Sequence, residues 1–395
     1  MRVAAIGLER ASGGRVRLSA EVIGDDGATR PCWFEVPADA ADHLGRSGNP
    51  WAVALLPLAA LRGEPLRIAA PVDGVLLDGL PRVLEIWRAW YPHLQAVLLE
   101  AERADDPVDP VVRPAAGLPP RRVGAFFSGG VDSFFTALRR RSGPPREAGL
   151  IDELISVHGF DIPLGRPEAF ERLAARHARV ATSLGVTFVA MATNVREELL
   201  AEVPWGPLAH GCALAATALA LGSRYRTVLI PATGGYRDLH PWGSHPLTDP
   251  LLSTASTAFV HDGAAFSRVD KTRLLVAHPA AMSALRVCWE SWSDENCGAC
   301  GKCLRTVAIL ELLGGLSRCA TFPAASLDVG ALARLQCAHS WDYRELRDIR
   351  ALALVSGRPD VARAAAAAMR RSRLRGTVRR MGGLLREHFA PAVRT

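Results

Sequence analysis

Val123-Gly124-Ala125-Phe126-Phe127 runs directly into Ser128-Gly129-Gly130-Val131-Asp132-Ser133, and the residues from Ser133 to Arg141 suit a helix. A short apolar strand, a turn with two glycines and a helix start give this stretch its meaning. Glycines let the backbone approach an anion closely, and a helix N-terminus offers N–H groups at the positive end of its dipole. Ser128 and Ser133 add hydroxyl donors. Asp132 is out of place beside a phosphate unless a cation mediates, which implies Mg²⁺. No lysine follows, so this is not the GxxxxGKS/T loop.

The same rhythm continues downstream. Leu154–His158, Val186–Thr193 and Thr227–Thr233 read as strands, and Pro167–Leu184 and Pro207–Leu221 as the helices between them. Strands alternating with helices predict right-handed βαβ units, hence an α/β fold with a Rossmann-like parallel sheet. Ligands of such sheets bind at the carboxyl ends of the strands, where the glycine turn falls.

Upstream, residues 104–121 hold five prolines with Asp105, Asp106 and Asp109, and predict an exposed linker. The segment before it, 1–103, has short alternating runs at Arg15–Ile23 and Cys32–Val36 and a helix over Pro81–Trp90, with Pro81 at its first turn. It reads as a small α+β domain without a catalytic constellation. The domain pattern expected is therefore 1–103, a linker over 104–121, a nucleotide domain over 122–320 with a cysteine segment at 288–303, and a helical extension over 321–395.

Composition sets the outer limits. Of 395 residues, 49% are hydrophobic and 22% charged, an ordinary balance that excludes disordered and fibrous classes. The longest uncharged apolar run, Cys212–Gly222, is roughly half of what a bilayer span needs. Glu9 and Arg10 come too early for a signal peptide, so a cytoplasmic protein is expected, without membrane partners. The net charge of +7 is concentrated: residues 363–395 carry nine Arg and one Glu, leaving the remainder near −1. That tail lacks interleaved aromatics for base stacking, so it reads as a solvated or partner-docking helix rather than a nucleic-acid binder, and any nucleic acid would enter only through it. Only Lys271 and Lys302 are lysine.

Cys288, Cys297, Cys300 and Cys303 form C-x8-C-x2-C-x2-C. Four sulfurs at this spacing fit a closed tetrahedral Zn²⁺ site, with an iron–sulfur cluster as the competing reading. Cys32, Cys212, Cys319 and Cys337 are scattered and read as buried thiols.

The hexapeptide 128–133 resembles the SGGxDS signature of the PP-loop ATP pyrophosphatases. Together with Cys288-Trp289-Glu290 and Asn296-Cys297-Gly298-Ala299-Cys300-Gly301-Lys302-Cys303-Leu304-Arg305, it resembles the 7-cyano-7-deazaguanine synthase family of the queuosine pathway over residues 122–313. The resemblance implies a PP-loop (adenine nucleotide alpha hydrolase) fold, ATP cleaved between its α and β phosphates, adenylation of a carboxylate and attack by ammonia. Zinc would lie outside the chemistry. Where that family carries a Tyr-Pro-Asp type substrate loop, residues 234–250 read differently, so the resemblance covers the ATP half and leaves the acceptor open.

Ser128, Gly129, Gly130, Val131, Asp132 and Ser133 are thus the expected phosphate ligands, with Ser128 and Asp132 catalytic. His158, after the second strand, is either a nucleotide-base contact or a satisfied core histidine. Gly211, in the turn from Trp205, either caps a helix or meets phosphate. Tyr236, Arg237, Asp238, His245 and Asp249 form the expected substrate loop: Arg237 or His245 would fix a carboxylate, and Asp238 or Asp249 would orient an amine or bind Mg²⁺. Lys271 is either an active-site charge or a solvated helix lysine.

The function expected is an ATP-dependent carbon–nitrogen ligase acting on a small-molecule, modified-base or peptide carboxylate, with ATP, Mg²⁺ and Zn²⁺. Two other readings stand beside it. One is a PP-loop sulfurtransferase using Cys212, with a tRNA base or small heterocycle as acceptor; the other is a non-catalytic nucleotide-binding component. A homo-oligomer is left open.

Overall fold

In the computed structural model, residues 1–104, 121–141, 150–323 and 326–388 are described. The interior of the expected linker and the end of the Arg-rich tail lie outside them. The chain divides into two compact units, Met1–Ser267 with Trp292–Asp294, and Arg268–Ser291 with Glu295–Thr395.

The first unit is built on ten strands: β1 (Arg2–Ala11), β2 (Arg15–Ile23), β3 (Thr29–Pro37), β4 (Leu66–Asp73), β5 (Leu99–Ala104), β6 (Arg122–Phe126), β7 (Glu153–His158), β8 (Thr187–Thr193), β9 (Tyr225–Pro231) and β10 (Ala258–Asp262). They form one mostly parallel sheet in the order β10-β9-β6-β7-β8-β3-β2-β1-β4-β5. The helices of this unit are α1 (Asn49–Arg62), α2 (Gly74–Trp90), α3 (Val131–Arg141), α4 (Pro167–Leu184), the single turn α5 (Val195–Glu198) and α6 (His210–Ala220). The α/β expectation and the parallel pairing of β6 to β10 are both present.

Counted from β6, the five parallel strands stand in the order 5-4-1-2-3. The chain steps one way from β6 to β7 and β8, then returns to place β9 on the other side of β6. Direction therefore reverses between β6 and β9. In a doubly wound sheet, this reversal opens a crevice at the carboxyl edge.

Residues 1–103 are not a separate unit. Phe34 and Glu35 of β3 pair antiparallel with Thr193 and Ala192 of β8, extending the parallel half into one sheet. A single core cluster runs from Val3 and Trp51 to Tyr225 and Phe259. The expected boundary failed because alternating runs show which face of a strand is buried, not which strand lies beside it. The helix expected to start at Pro81 begins at Gly74, where the Asp73 side chain caps it by accepting from Val75 N at 2.9 Å. Pro81 lies inside the helix. Helix α1 was not predicted, because Asn49–Ala60 is buried on every side and leaves no polar stripe to read.

The second unit is helical: α7 (Arg268–Val276), α8 (Pro279–Ala284), α9 (Gly301–Leu312), α10 (Val329–Arg334), α11 (Ser340–Val355) and α12 (Pro359–His388), with the cysteine segment before α9. Its ties cross the boundary expected at 320. Arg305 of α9 meets Asp342 at 3.0 Å and Glu345 at 2.5 Å, both on α11, and Arg268 of α7 meets Glu345 at 3.0 Å. Among the described residues, no helix is long and apolar enough to cross a membrane.

Candidate functional site

Ser128 follows β6 at the point where the sheet order reverses. Gly129 adopts φ +75°, a conformation side chains disfavour, and so turns the chain sharply into α3. Gly130 N donates to Ser128 Oγ at 3.4 Å, and Ser133 Oγ donates to the Gly130 carbonyl at 3.1 Å. Ser128 is exposed, Asp132 is half-buried in the first turn, and Val131 and Ser133 are buried. The six expected residues thus form one turn, with Ser128 before and Asp132 and Ser133 on the opening turn of an eleven-residue helix.

The helix is pinned from behind. Asp262, at the end of β10 and 2% exposed, accepts from Thr136 Oγ1 at 2.9 Å and from Arg139 and Arg140 at 2.6 Å. Burial alone would raise the Asp262 carboxyl, but the two guanidiniums carry it below its ordinary value.

The residues expected at the rim separate into two groups. Tyr236, Arg237 and Asp238 form a single 3₁₀ turn near the surface, with Tyr236 58% exposed. His245 and Asp249 are inside, and their stretch carries a second 3₁₀ turn at Asp249–Leu252. Asp249 is fully buried. One oxygen accepts from Ser244 Oγ and His261 Nδ1, each at 2.7 Å, and the other accepts from His245 N at 3.0 Å. Both its oxygens are therefore engaged within the protein. His245 Nδ1 accepts from Leu247 N at 3.1 Å, and burial lowers its pKa to about 4.

His158 ends β7 with its ring stacked on Phe170 at 4.5 Å and its Nε2 2.9 Å from the Pro163 carbonyl. Burial lowers its pKa, and the ring is that of a satisfied histidine. Gly211 serves close packing: a Cβ there would lie 2.0 Å from the Gly243 carbonyl oxygen. Gly206 likewise faces Trp242, where a Cβ would meet the indole at 2.4 Å. A π-helical turn, Trp205–Ala209, leads into α6, and His210 Nδ1 lies 3.2 Å from the Gly206 carbonyl. Burial lowers the His210 pKa too.

The first hundred residues reach this region directly. The Trp90 ring meets His245 edge-on at 4.7 Å. Asp73 accepts from Ala255 N at 3.1 Å, and a Cβ on Gly79 would strike the Leu251 carbonyl at 2.0 Å. Segment 66–91 thus packs against the loop that carries His245 and Asp249, a contact the sequence did not disclose.

Sequence reasoning also missed His261. It sits on β10, whose apolar run is only Ala258–Val260 and too short to read as a strand. The signal available was the βαβ rhythm itself, which calls for a fifth strand after β9.

In the second unit, the sulfur atoms of Cys288, Cys297, Cys300 and Cys303 lie within 4.8 Å of one another. Tetrahedral Zn–S bonds of about 2.3 Å place ligand sulfurs about 3.8 Å apart; Cys297 and Cys303 Sγ are 3.9 Å apart. Cys300 N donates to Cys297 Sγ at 3.3 Å and Cys303 N to Cys300 Sγ at 3.4 Å, as suits thiolates. Gly298, at φ +70°, makes the turn between ligands. Asn296 Oδ1 accepts from Val287 N at 2.8 Å and Cys288 N at 3.2 Å, tying the first ligand to the other three. Hydrogen bonding from Cys303 draws the Cys300 pKa down to about 5, whereas Cys303 itself is pushed up by the same bond. Four sulfurs that cannot all hold negative charge unaided can hold a metal such as zinc. Three of the four are buried and Cys297 is exposed.

The scattered cysteines behave otherwise. Cys32, Cys212 and Cys319 are buried, Cys337 is half-buried, and desolvation raises all four thiols, Cys32 to about 12. Lys271, on α7, is 1% exposed and so is not a solvated helix lysine. No family model, curated protein or solved structure matches the chain in comparison with known proteins.

Proposed function

We propose that this protein is a PP-loop ATP pyrophosphatase acting as a carbon–nitrogen ligase. The observation that carries the reading is the placement of Ser128–Ser133. The turn that resembles SGGxDS lies where the order of the parallel strands reverses, with a glycine at positive φ and a helix N-terminus behind it. An anion there meets backbone N–H groups and the helix dipole.

On this reading, residues 128–133 receive the β and γ phosphates of ATP. Asp132 is the group suited to Mg²⁺, which would neutralise charge on the departing pyrophosphate. The acceptor carboxylate attacks the α-phosphorus to give an acyl adenylate, and an amine displaces AMP. The chain contributes mostly by positioning and charge stabilisation. The cysteine cluster is a structural metal site, away from the reacting atoms by the same resemblance. Thiolation through Cys212 is disfavoured, because that thiol is buried and held protonated.

Chromatography of nucleotide products tests the reading. Wild type and Asp132→Asn are incubated with ATP, Mg²⁺, ammonium and fractions of a bacterial metabolite extract. AMP from wild type and none from a folded Asp132→Asn is the expected result. ADP in place of AMP, or equal AMP from the variant, overturns it.

A further inference from the structure

Resting on that reading, we propose that His261, oriented by Asp249, is the general base that deprotonates the nitrogen nucleophile. The argument begins with the carboxylate. A carboxylate can only accept hydrogen bonds, so the 2.7 Å contact suits the Nδ1–H tautomer of the neutral ring, in which Nε2 carries the lone pair. Asp249 is fully buried and also held by Ser244 Oγ and His245 N, so it cannot swing away. A base held in one tautomer by a buried carboxylate is the arrangement general-base catalysis uses. Among the described residues, His261 Nε2 makes no hydrogen bond.

Its place in the sheet brings it to the reaction edge. His261 pairs with Ile230 of β9, and the preceding Leu229 pairs with Ala125 of β6. His261 is therefore level with Phe126, just short of Ser128, and two strands across, roughly 10 Å at ordinary strand spacing. Side chains alternate along a strand. Asp262 points to α3, so His261 points to the opposite face, where Asp249, Ser244 and His245 receive it. A substrate lying across the crevice would meet the phosphate loop from one side and His261 from the other. The charged and titratable groups facing His261 are Asp249, His245 and His210. Burial lowers the pKa of both neighbouring histidines, so neither competes for the proton near neutrality.

In the step proposed, an ammonium ion gives one proton to His261 Nε2. The freed nitrogen lone pair forms the C–N bond to the acyl carbon. The C–O bond to adenylate breaks with its pair leaving on AMP, and the adduct loses its second proton to water.

The test separates base catalysis from mere support. Full-length wild type, His261→Gln and Asp249→Asn are compared near pH 7 with ATP, Mg²⁺ and a metabolite fraction on which wild type forms AMP. The nucleophile is either ammonium, mostly protonated at this pH, or hydroxylamine, mostly neutral. Both variants should lose about 100-fold of ammonium-supported turnover and keep hydroxylamine-supported turnover near wild type. Equal loss with both nucleophiles, or loss with neither, overturns the proposal while leaving the ligase reading standing. Wild type forming no AMP in any fraction overturns both.

Discussion

The glycine turn at residues 128–133 and the histidine cluster stand at one sheet edge and are built in opposite ways. Residues 128–133 are contiguous, and one strand and one helix suffice to shape them. The cluster collects Trp90, His210, His245, Asp249 and His261 from four segments of the chain. A contiguous motif is specified by its own residues. An assembled one exists only while several segments stay packed, so its geometry depends on groups distant in the chain. The cysteine cluster belongs with the first kind, since its four ligands fall within residues 288–303.

The largest expected effect falls on that local metal site. Cys300→Ser removes a sulfur whose pKa is drawn down and the side chain that caps α9 through Cys303 N. Bound zinc, measured by atomic absorption, should fall well below one ion per chain, with a marked drop in melting temperature of the second unit. Structural zinc contributes folding energy directly, so a change of several kcal/mol is expected. Full zinc occupancy with unchanged melting would remove the tetrad.

Next in size is a substitution that spares the local motif and breaks the assembled one. Gly211→Ala puts a Cβ into the Gly243 carbonyl, both backbone-bound, so α6 or the loop carrying Ser244 and His245 must shift. Overpacking of this kind costs about 1–3 kcal/mol. Melting temperature should fall modestly, and the imidazole NMR signals of His245 and His261 should move. The turn at residues 128–133 should keep its internal hydrogen bonds. Unmoved histidine signals would mean that the cluster is not held by this packing.

The same contrast explains what was legible in the sequence. The glycine turn, the alternation of strands and helices after it, and the cysteine spacing are written in neighbouring residues, and the structure places each as a local unit. The order of strands is not local. Nothing between Thr29 and Pro37 announces that β3 will pair with β8, because pairing partners leave no mark on a strand's own pattern. Helix α1 was silent because complete burial erases its stripe, and Asp249 could be picked out as polar but not as the partner of a histidine on an unseen strand. Trp90 was legible as the end of a helix, but not that its ring lies against His245.

The smallest effect at neutral pH is the most discriminating for the assembled site. Burial holds His245 at about 4, below the ordinary 6.5, so between those values the unfolded chain binds the extra proton. The contribution from a neutral, buried His245 is complete above about pH 6.5 and lost as the pH falls toward 4. His158 and His210 are lowered by burial as well and act in the same direction. His245→Gln should therefore change melting little at pH 7.5 and make its decline between pH 6.5 and 4.5 shallower than in wild type. Asp132→Asn, in the contiguous turn, should leave the slope of that decline as it is. Parallel slopes for wild type and His245→Gln would show that the imidazole protonates without leaving its place, and that the cluster is more open to water than its packing implies.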